Sequence, residues 1–201
     1  MRRFIVCVSL AVCLGTASGC RSTGDGASGP YATQEGARRE TAKAERLTKE
    51  AAELLSEDPD QAEKLLREAL TADIFFGPAH NNLGVIHLGR GDLYEAANEF
   101  EWSRKLMPGH PDPRYNLAMT LEQAGQVDEA LASYSAALEV YDGFLPAIQG
   151  LALLTVKSGL KDDRTAGWLE AIALRSSEAS WREWARRELT EARLVLPSLR
   201  D

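Results

Sequence analysis

The stretch NNLG at residues 81–84 has a near copy, YNLA, at residues 115–118, which lies 34 residues further along the chain. A third register of the same period follows, because leucine recurs at position 151 and is again followed by a small residue. Other columns repeat at this interval without a gap. They contain the glycines Gly91, Gly125 and Gly159, the aromatics Phe100, Tyr134 and Trp168, the small residues Ser103, Ala137 and Ala171, and the apolar residues Leu106, Val140 and Leu174. The chain therefore contains an internal repeat.

Each repeat predicts two antiparallel helices joined by a tight turn. In residues 78–90, apolar and small residues recur at helical spacing. Gly91 then ends the helix, because glycine accepts the positive φ that follows many helix ends. Asp92, with Glu95 three residues later, predicts a capping box at the start of the second helix. The small residue Gly84 would let the aromatic ring of the second helix approach closely.

The pattern resembles the tetratricopeptide repeat, a 34-residue helix–turn–helix unit. The unit 77–110 carries the family motif at Leu83, Gly84, Ala96, Phe100 and Pro108. The unit 111–144 matches it at Leu117, Ala118, Ala130 and Tyr134, although Asp142 replaces the proline. The resemblance implies an all-α fold, a right-handed α-solenoid of about four such repeats, in which each repeat packs only on its neighbours.

Two further units depart from the motif. The unit 145–178 has Arg164 where the family has alanine, and we expect its guanidinium to reach solvent because an unpaired buried charge is costly. The unit 43–76 fits only with a one-residue slip near its turn. After the repeats, residues 179–196 predict a capping helix, which completes a repeat domain within 37–201. Its apolar stripe consists of Trp181, Ala185, Leu189, Ala192 and Leu196.

The start of the chain differs from the rest. Two arginines precede the apolar run 4–14, which is too short to span a bilayer, and together they predict a secretory signal peptide over residues 1–19. The junction TASGC, which ends at Cys20, resembles a bacterial lipobox, in which the cysteine is diacylated and becomes the mature N-terminus. Ordinary signal-peptidase cleavage is the alternative, since small residues suit it as well.

Residues 20–36 contain this cysteine and a segment rich in glycine, serine and threonine, which predicts a flexible tether. Removal of the signal peptide would leave Cys20 as the only cysteine, so the mature chain could form neither a disulfide nor a cysteine-based metal site by itself. About sixteen tether residues reach roughly 20–25 Å. The repeats would therefore lie close to a bacterial membrane and face the periplasm.

The sequence offers no catalytic constellation. Phosphate-loop, zinc-protease and serine-hydrolase motifs are absent from it. His80 and His87 share one helix but lie about 10 Å apart along it, too far to bind one metal ion, and we interpret both as packing residues. The net charge of −7 argues against a nucleic-acid partner. We expect no enzyme activity, no cofactor, no metal and no small-molecule substrate.

The resemblance implies that the first helices of successive repeats line a concave groove that holds a peptide or helix of a protein partner. The predicted groove residues are Asn81, Asn82, Val85, Tyr115, Asn116, Met119, Gln149 and Leu153. Two hypotheses remain open for Asn82 and Asn116, which share a column: they bind a partner's backbone, or they bond to a neighbouring helix and set the repeat spacing. Capture of a C-terminal carboxylate by basic residues is disfavoured, because Lys157 is the only basic candidate.

These expectations describe a membrane-anchored lipoprotein that acts as a scaffold or assembly factor in the bacterial cell envelope. By the same resemblance, such proteins serve pilus assembly, outer-membrane protein insertion and peptidoglycan enzyme complexes, and the sequence does not choose among them. Two alternatives are a soluble secreted binding module and a regulatory subunit of an envelope enzyme.

Overall fold

The computed structural model describes residues 39–195, with side chains up to Glu191. The predicted signal peptide, Cys20, the tether, the side chain of Ala192 and Leu196 lie outside this description. Within it the chain forms nine α-helices and no strand. The helices are α1 (Thr41–Leu54), α2 (Pro59–Ala72), α3 (Gly77–Arg90), α4 (Leu93–Leu106), α5 (Asp112–Gln123), α6 (Val127–Val140), α7 (Leu145–Lys157), α8 (Asp163–Arg175) and α9 (Ala179–Val195).

The helices pack as a row of antiparallel pairs. α1 packs on α2, α3 on α4, α5 on α6 and α7 on α8, while α9 closes the row against α8. The odd-numbered helices also contact one another in sequence, α1 with α3, α3 with α5 and α5 with α7. The prediction of an all-α solenoid of helical repeats is therefore confirmed.

The turns inside the repeats depend on glycine. Gly91, Gly125 and Gly159 have φ values of 84°, 78° and 69°, as expected for residues that follow a helix end. The predicted capping box at Asp92 is wrong, because the Asp92 side chain accepts no hydrogen bond from the first turn of α4. Its carboxylate is turned instead toward the end of α3, where Oδ2 lies 3.6 Å from Nδ1 of His87.

Close helix packing in the second repeat depends on a missing side chain. A Cβ atom on Gly84 would lie only 2.7 Å from the ring of Phe100, which is fully buried. This confirms the predicted close approach of the aromatic ring. The ring of Tyr134 on α6 makes a close contact of another kind, because it packs against Gly150 on α7, the first helix of the following repeat.

The second helix of the last repeat is rotated relative to its counterparts. Leu169 and Ile172 are buried, whereas Trp168 and Ala171, which the period predicts to be buried, are only half-buried. Leu174 of the same predicted apolar set is exposed. A shift of one residue corresponds to about 100° around a helix axis. The cause lies in the preceding turn, which spans residues 158–162.

This longer turn gives α8 its own N-terminal cap. The Asp162 side chain accepts a hydrogen bond from the backbone N–H of Thr165, and the Thr165 hydroxyl accepts one from the backbone N–H of Asp162. The Arg164 side chain is 77% exposed and pairs with Asp162 at 2.8 Å, so the prediction that its guanidinium reaches solvent is confirmed. Its Cζ lies 5.7 Å from the centre of the Trp168 ring.

The capping helix α9 covers the last repeat with its apolar stripe. Ala185 is fully buried, and Trp181 and Leu189 pack against the same cluster. An ion pair of 2.8 Å between Lys161 and Glu188 joins the turn before α8 to α9. The described part of the stripe therefore packs as the sequence indicates.

Candidate partner-binding surface

The predicted groove residues all lie on α3, α5 and α7. These helices, with α1, form one continuous surface, which we call the odd-helix face. Val85 on α3 and Gln149 and Leu153 on α7 are half-buried there, so each offers part of its side chain to a partner. Tyr115 and Met119 on α5 are almost completely buried.

Three amides form a buried chain between α3 and α5. Nδ2 of Asn116 donates to Oδ1 of Asn81 at 2.9 Å, and Nδ2 of Asn81 donates to Oδ1 of Asn82 at 3.5 Å. All three side chains are buried. Asn81 and Asn116 lie 35 residues apart, one more than the repeat period. Asn116 therefore bonds to the residue before Asn82, and not to Asn82, which occupies the equivalent position in its repeat.

Asn116 bonds to a neighbouring helix, as the second of the two hypotheses expects, whereas Asn82 bonds to Asn81 of its own helix. Within this row of amides, Oδ1 of Asn116 is buried and has no hydrogen-bond partner. The bond between Asn116 and Asn81 links the second and third repeats beneath the half-buried residues of the face.

The Tyr115 ring is fixed by other aromatic rings. Its centre lies 5.9 Å from that of Tyr134 and 5.7 Å from that of Phe144, the latter in an edge-to-face arrangement. Such pairs contribute about 0.5–1.5 kcal/mol beyond the apolar area that they bury. Tyr115 is therefore part of the rigid base of the odd-helix face.

The electrostatics of the face do not favour a carboxylate ligand. Nζ of Lys157 lies 3.9 Å from Oε1 of Glu122, which offsets its charge. The same glutamate accepts a hydrogen bond of 3.0 Å from the hydroxyl of Tyr134 through Oε2. A partner carboxylate would have to compete with Glu122 for Lys157.

The structure gives His80 a role that the sequence did not reveal. Its Nδ1 lies 2.6 Å from Oε2 of Glu99 on α4, and its Nε2 lies 2.8 Å from the carbonyl oxygen of Ile74. Burial lowers the pKa of His80, but the hydrogen bonds to Glu99 and Ile74 outweigh it, so the pKa is raised above its ordinary value. The His80 ring therefore connects α3, α4 and the loop between the first two repeats.

The described residues contain neither a candidate metal site nor a candidate membrane-spanning helix. No group of three or more His, Cys, Asp or Glu side chains between residues 39 and 191 is placed to hold a metal ion. Over residues 39–195, no helix combines the length and apolar character needed to cross a bilayer.

Comparison with known families agrees with the architecture. Two models described as tetratricopeptide repeat match residues 51–101 and 87–154, which together cover just over half of the chain. The chain is a tetratricopeptide repeat protein. Membership of this family supports a role as a protein–protein interaction scaffold. A comparison with curated proteins gave no match for this repeat protein.

Solved structures with the same fold include three of different character. PilF of Pseudomonas aeruginosa has a TM-score of 0.67 and 17% identity, with 80% of this chain and 74% of that chain covered. The first repeat domain of Spaghetti (RPAP3), bound to an HSP90 peptide, has a TM-score of 0.58 and 14% identity, with coverages of 62% and 99%. At these identities the likeness shows the fold alone.

The third is a mutant of the Thermobaculum terrenum O-GlcNAc transferase. Its TM-score is 0.61 and its identity 27%, with 74% of this chain covered but only 27% of the transferase chain. The repeat protein therefore spans about a quarter of that enzyme, and the likeness carries no transferase activity with it.

Proposed function

We propose that this repeat protein is a lipid-anchored, non-catalytic scaffold or assembly factor of the bacterial cell envelope. It holds an extended peptide or a helix of a protein partner on its odd-helix face. The observation that carries this proposal is the construction of that face, in which Val85, Gln149 and Leu153 project partly into solvent above a floor of buried amides and aromatic rings. Such a floor is rigid, so little conformational entropy is lost when a partner binds.

The side chains on the face indicate the kind of segment that would bind. Val85 and Leu153 offer apolar surface. The Gln149 amide donates one hydrogen bond of 3.4 Å to the Ser176 hydroxyl, and its second N–H and its oxygen can pair with a peptide backbone. Lys157 is offset by Glu122, which disfavours a ligand held mainly through its C-terminal carboxylate. The similar fold of the Spaghetti domain holds a peptide, which supports a peptide as the ligand class.

The binding proposal is tested by introducing one negative charge into the apolar part of the face. Leu153→Asp places a carboxylate on the face at a half-buried site, and we expect it to abolish partner co-purification without unfolding the repeats. Tyr94→Asp is the matched control, because Tyr94 is 76% exposed on α4 and away from the face. Equal co-purification by wild type and Leu153→Asp would refute the assignment of the face.

The anchor is proposed from the TASGC junction and the tether that follows it. Cys20→Ala should move the protein from the membrane fraction to the soluble fraction and abolish labelling by a fatty-acid analogue. Cys13→Ala is the matched control, because position 13 lies in the segment that would be removed, and this variant should keep its label. A wild-type protein that takes up no label would refute the anchor and favour the soluble secreted module.

A further inference from the structure

The loop between α2 and α3 displays two apolar side chains in solvent. Ile74 is 63% exposed and Phe75 is 48% exposed. The loop is nevertheless held firmly, because the buried carboxylate of Asp73 accepts hydrogen bonds from the Thr41 hydroxyl at 2.7 Å and from the Phe75 N–H at 3.1 Å. A polar network thus fixes two apolar residues where they contact water.

A third exposed apolar residue adjoins the loop. The Trp102 ring is 51% exposed and stacks on the ring of His80, with centres 6.1 Å apart, while His80 also bonds to the carbonyl oxygen of Ile74. Nζ of Lys105 lies 5.5 Å from the centre of the Trp102 ring. We call Ile74, Phe75 and Trp102 the loop patch.

The repeat fold itself does not require this patch. One, two and three periods further along, the positions of Ile74 and Phe75 hold Pro108 and Gly109, Asp142 and Gly143, and Ser176 and Ser177. The position of Trp102 holds Ala136 and then Glu170. At the positions of Ile74 and Phe75, the later loops therefore carry ordinary turn and polar residues. The loop between α6 and α7 also exposes one aromatic residue, Tyr141, which is 53% exposed. Among the described loops at this edge, two consecutive exposed apolar side chains occur between α2 and α3 alone.

The chain enters the repeat domain beside this patch. The Arg39 guanidinium lies 4.3 Å from the centre of the Phe75 ring, and the backbone N–H of Glu40 donates to the carbonyl of Ala72 at 3.1 Å. The segment between Cys20 and Arg39 spans residues 21–38, with a reach of roughly 20–25 Å for a flexible chain. A membrane anchored at Cys20 would therefore lie within reach of the loop patch.

We propose that the loop patch is a membrane-contact surface. Ile74, Phe75 and Trp102 enter the headgroup boundary of the bilayer that holds the Cys20 acyl chains, to a depth of about 5–10 Å as for other interfacial segments. Aromatic rings favour this zone, and the flanking cations Arg39 and Lys105 can reach lipid phosphates. The inference rests on the proposed lipid anchor, which supplies the high local concentration of membrane.

This contact would also orient the binding face. All odd-numbered helices begin at the edge of the solenoid that carries the loop between α2 and α3, since consecutive helices alternate in direction. With this edge on the membrane, the odd-helix face stands away from the lipid surface instead of lying against it. A partner could then bind the face while the protein stays docked.

The test places a fluorescent probe in the patch of the processed, acylated protein. Ile74→Cys, labelled with an environment-sensitive fluorophore, is reconstituted with vesicles of phosphatidylethanolamine and phosphatidylglycerol that contain a nitroxide lipid quencher. Tyr94→Cys is the matched control, since Tyr94 is exposed near the opposite edge, at the start of α4. We expect several-fold stronger quenching and a blue shift at position 74, both lost when Phe75→Ser and Trp102→Ser are added.

Flotation of the protein with the same vesicles distinguishes the proposed membrane contact from the proposed lipid anchor. A protein that floats, but whose position 74 probe is quenched no more than the Tyr94 control, overturns the membrane contact and leaves the anchor standing. A blue shift at position 74 without quenching means that protein covers the patch, either a second copy or a partner, and it also overturns the membrane contact. A protein that does not float overturns the anchor and, with it, this inference.

Discussion

Replacing Gly84 by alanine adds a single methyl group where α3 and α4 approach each other closely. The new Cβ would lie 2.7 Å from one ring carbon of Phe100 and 2.8 Å from the next. Carbon atoms prefer a separation of about 3.5–4.0 Å. The ring cannot move into solvent to make room, because Phe100 is fully buried. We therefore expect the two helices to move apart and to lose packing along their length.

Two opposing effects determine the magnitude. Overpacking of a core typically costs about 1–3 kcal/mol. The better helix propensity of alanine returns roughly 0.8–1.0 kcal/mol. Gly84→Ala should therefore lower the free energy of unfolding by about 0–2 kcal/mol. Gly89→Ala, in the same helix, should raise it by up to about 1 kcal/mol, because no atom lies within 4 Å of its added Cβ.

The assay is denaturant unfolding of both variants beside the wild type, followed by circular dichroism. The same chemical change in one helix should give a lower midpoint at position 84 and a higher one at position 89. Adding Phe100→Leu to Gly84→Ala should cost less than the sum of the two single changes, because the contact is shared. If Gly84→Ala were as stable as Gly89→Ala, the inferred tight contact would be refuted.

Three further predictions concern single side chains. Asn116→Ala leaves the Asn81 side-chain oxygen without its donor and should cost about 1–3 kcal/mol in denaturant unfolding, and adding Asn81→Ala should cost less than a second independent loss. Arg164→Ala should change stability by no more than about 0.5 kcal/mol, and a loss above about 2 kcal/mol would show a buried ion pair instead. Burial lowers the pKa of His80, but the bond to Glu99 helps to raise it above its ordinary value in the folded protein. Protonated His80 therefore stabilises the fold fully below the ordinary histidine pKa, and this stabilisation is lost as the pH rises through the pKa of the folded state. Melting temperatures across this range should show that loss in the wild type and not in His80→Gln.

The repeat period was sufficient to predict the fold because each column has a separate physical requirement. Gly91, Gly125 and Gly159 follow helix ends and take positive φ, and Phe100 and Tyr134 fill the space between paired helices. These requirements are local to a repeat and its neighbours, so they can be read from spacing alone.

The repeat period predicts the wrong buried residues where a change in a turn rotates the helix that follows it. The turn before α8 is longer than its counterparts, and Asp162 starts the helix so that Leu169 is buried in place of Trp168. The pattern D-x-x-T at residues 162–165 could have indicated this cap from the sequence.

The candidate site was harder to predict than the fold. The side-chain hydrogen bond joins Asn116 to Asn81, which lies one position before the repeat equivalent of Asn116. Such pairs form when adjacent helices are offset along their axes, and the spacing of residues in the sequence does not give that offset. The loop residues of the patch could have been found from the repeat alignment, since Ile74 and Phe75 stand where the later repeats carry proline, glycine, aspartate or serine.

The central claim is that a protein partner lies along the odd-helix face, and photocrosslinking in the cells that make this protein tests it most directly. A photoreactive amino acid is placed at Val85, at Leu153 or, as a control, at the exposed Tyr94 away from the face. We predict that positions 85 and 153 capture the same protein and that position 94 does not capture it. Absence of an adduct from both face positions, or capture of the same protein from position 94, would contradict the claim.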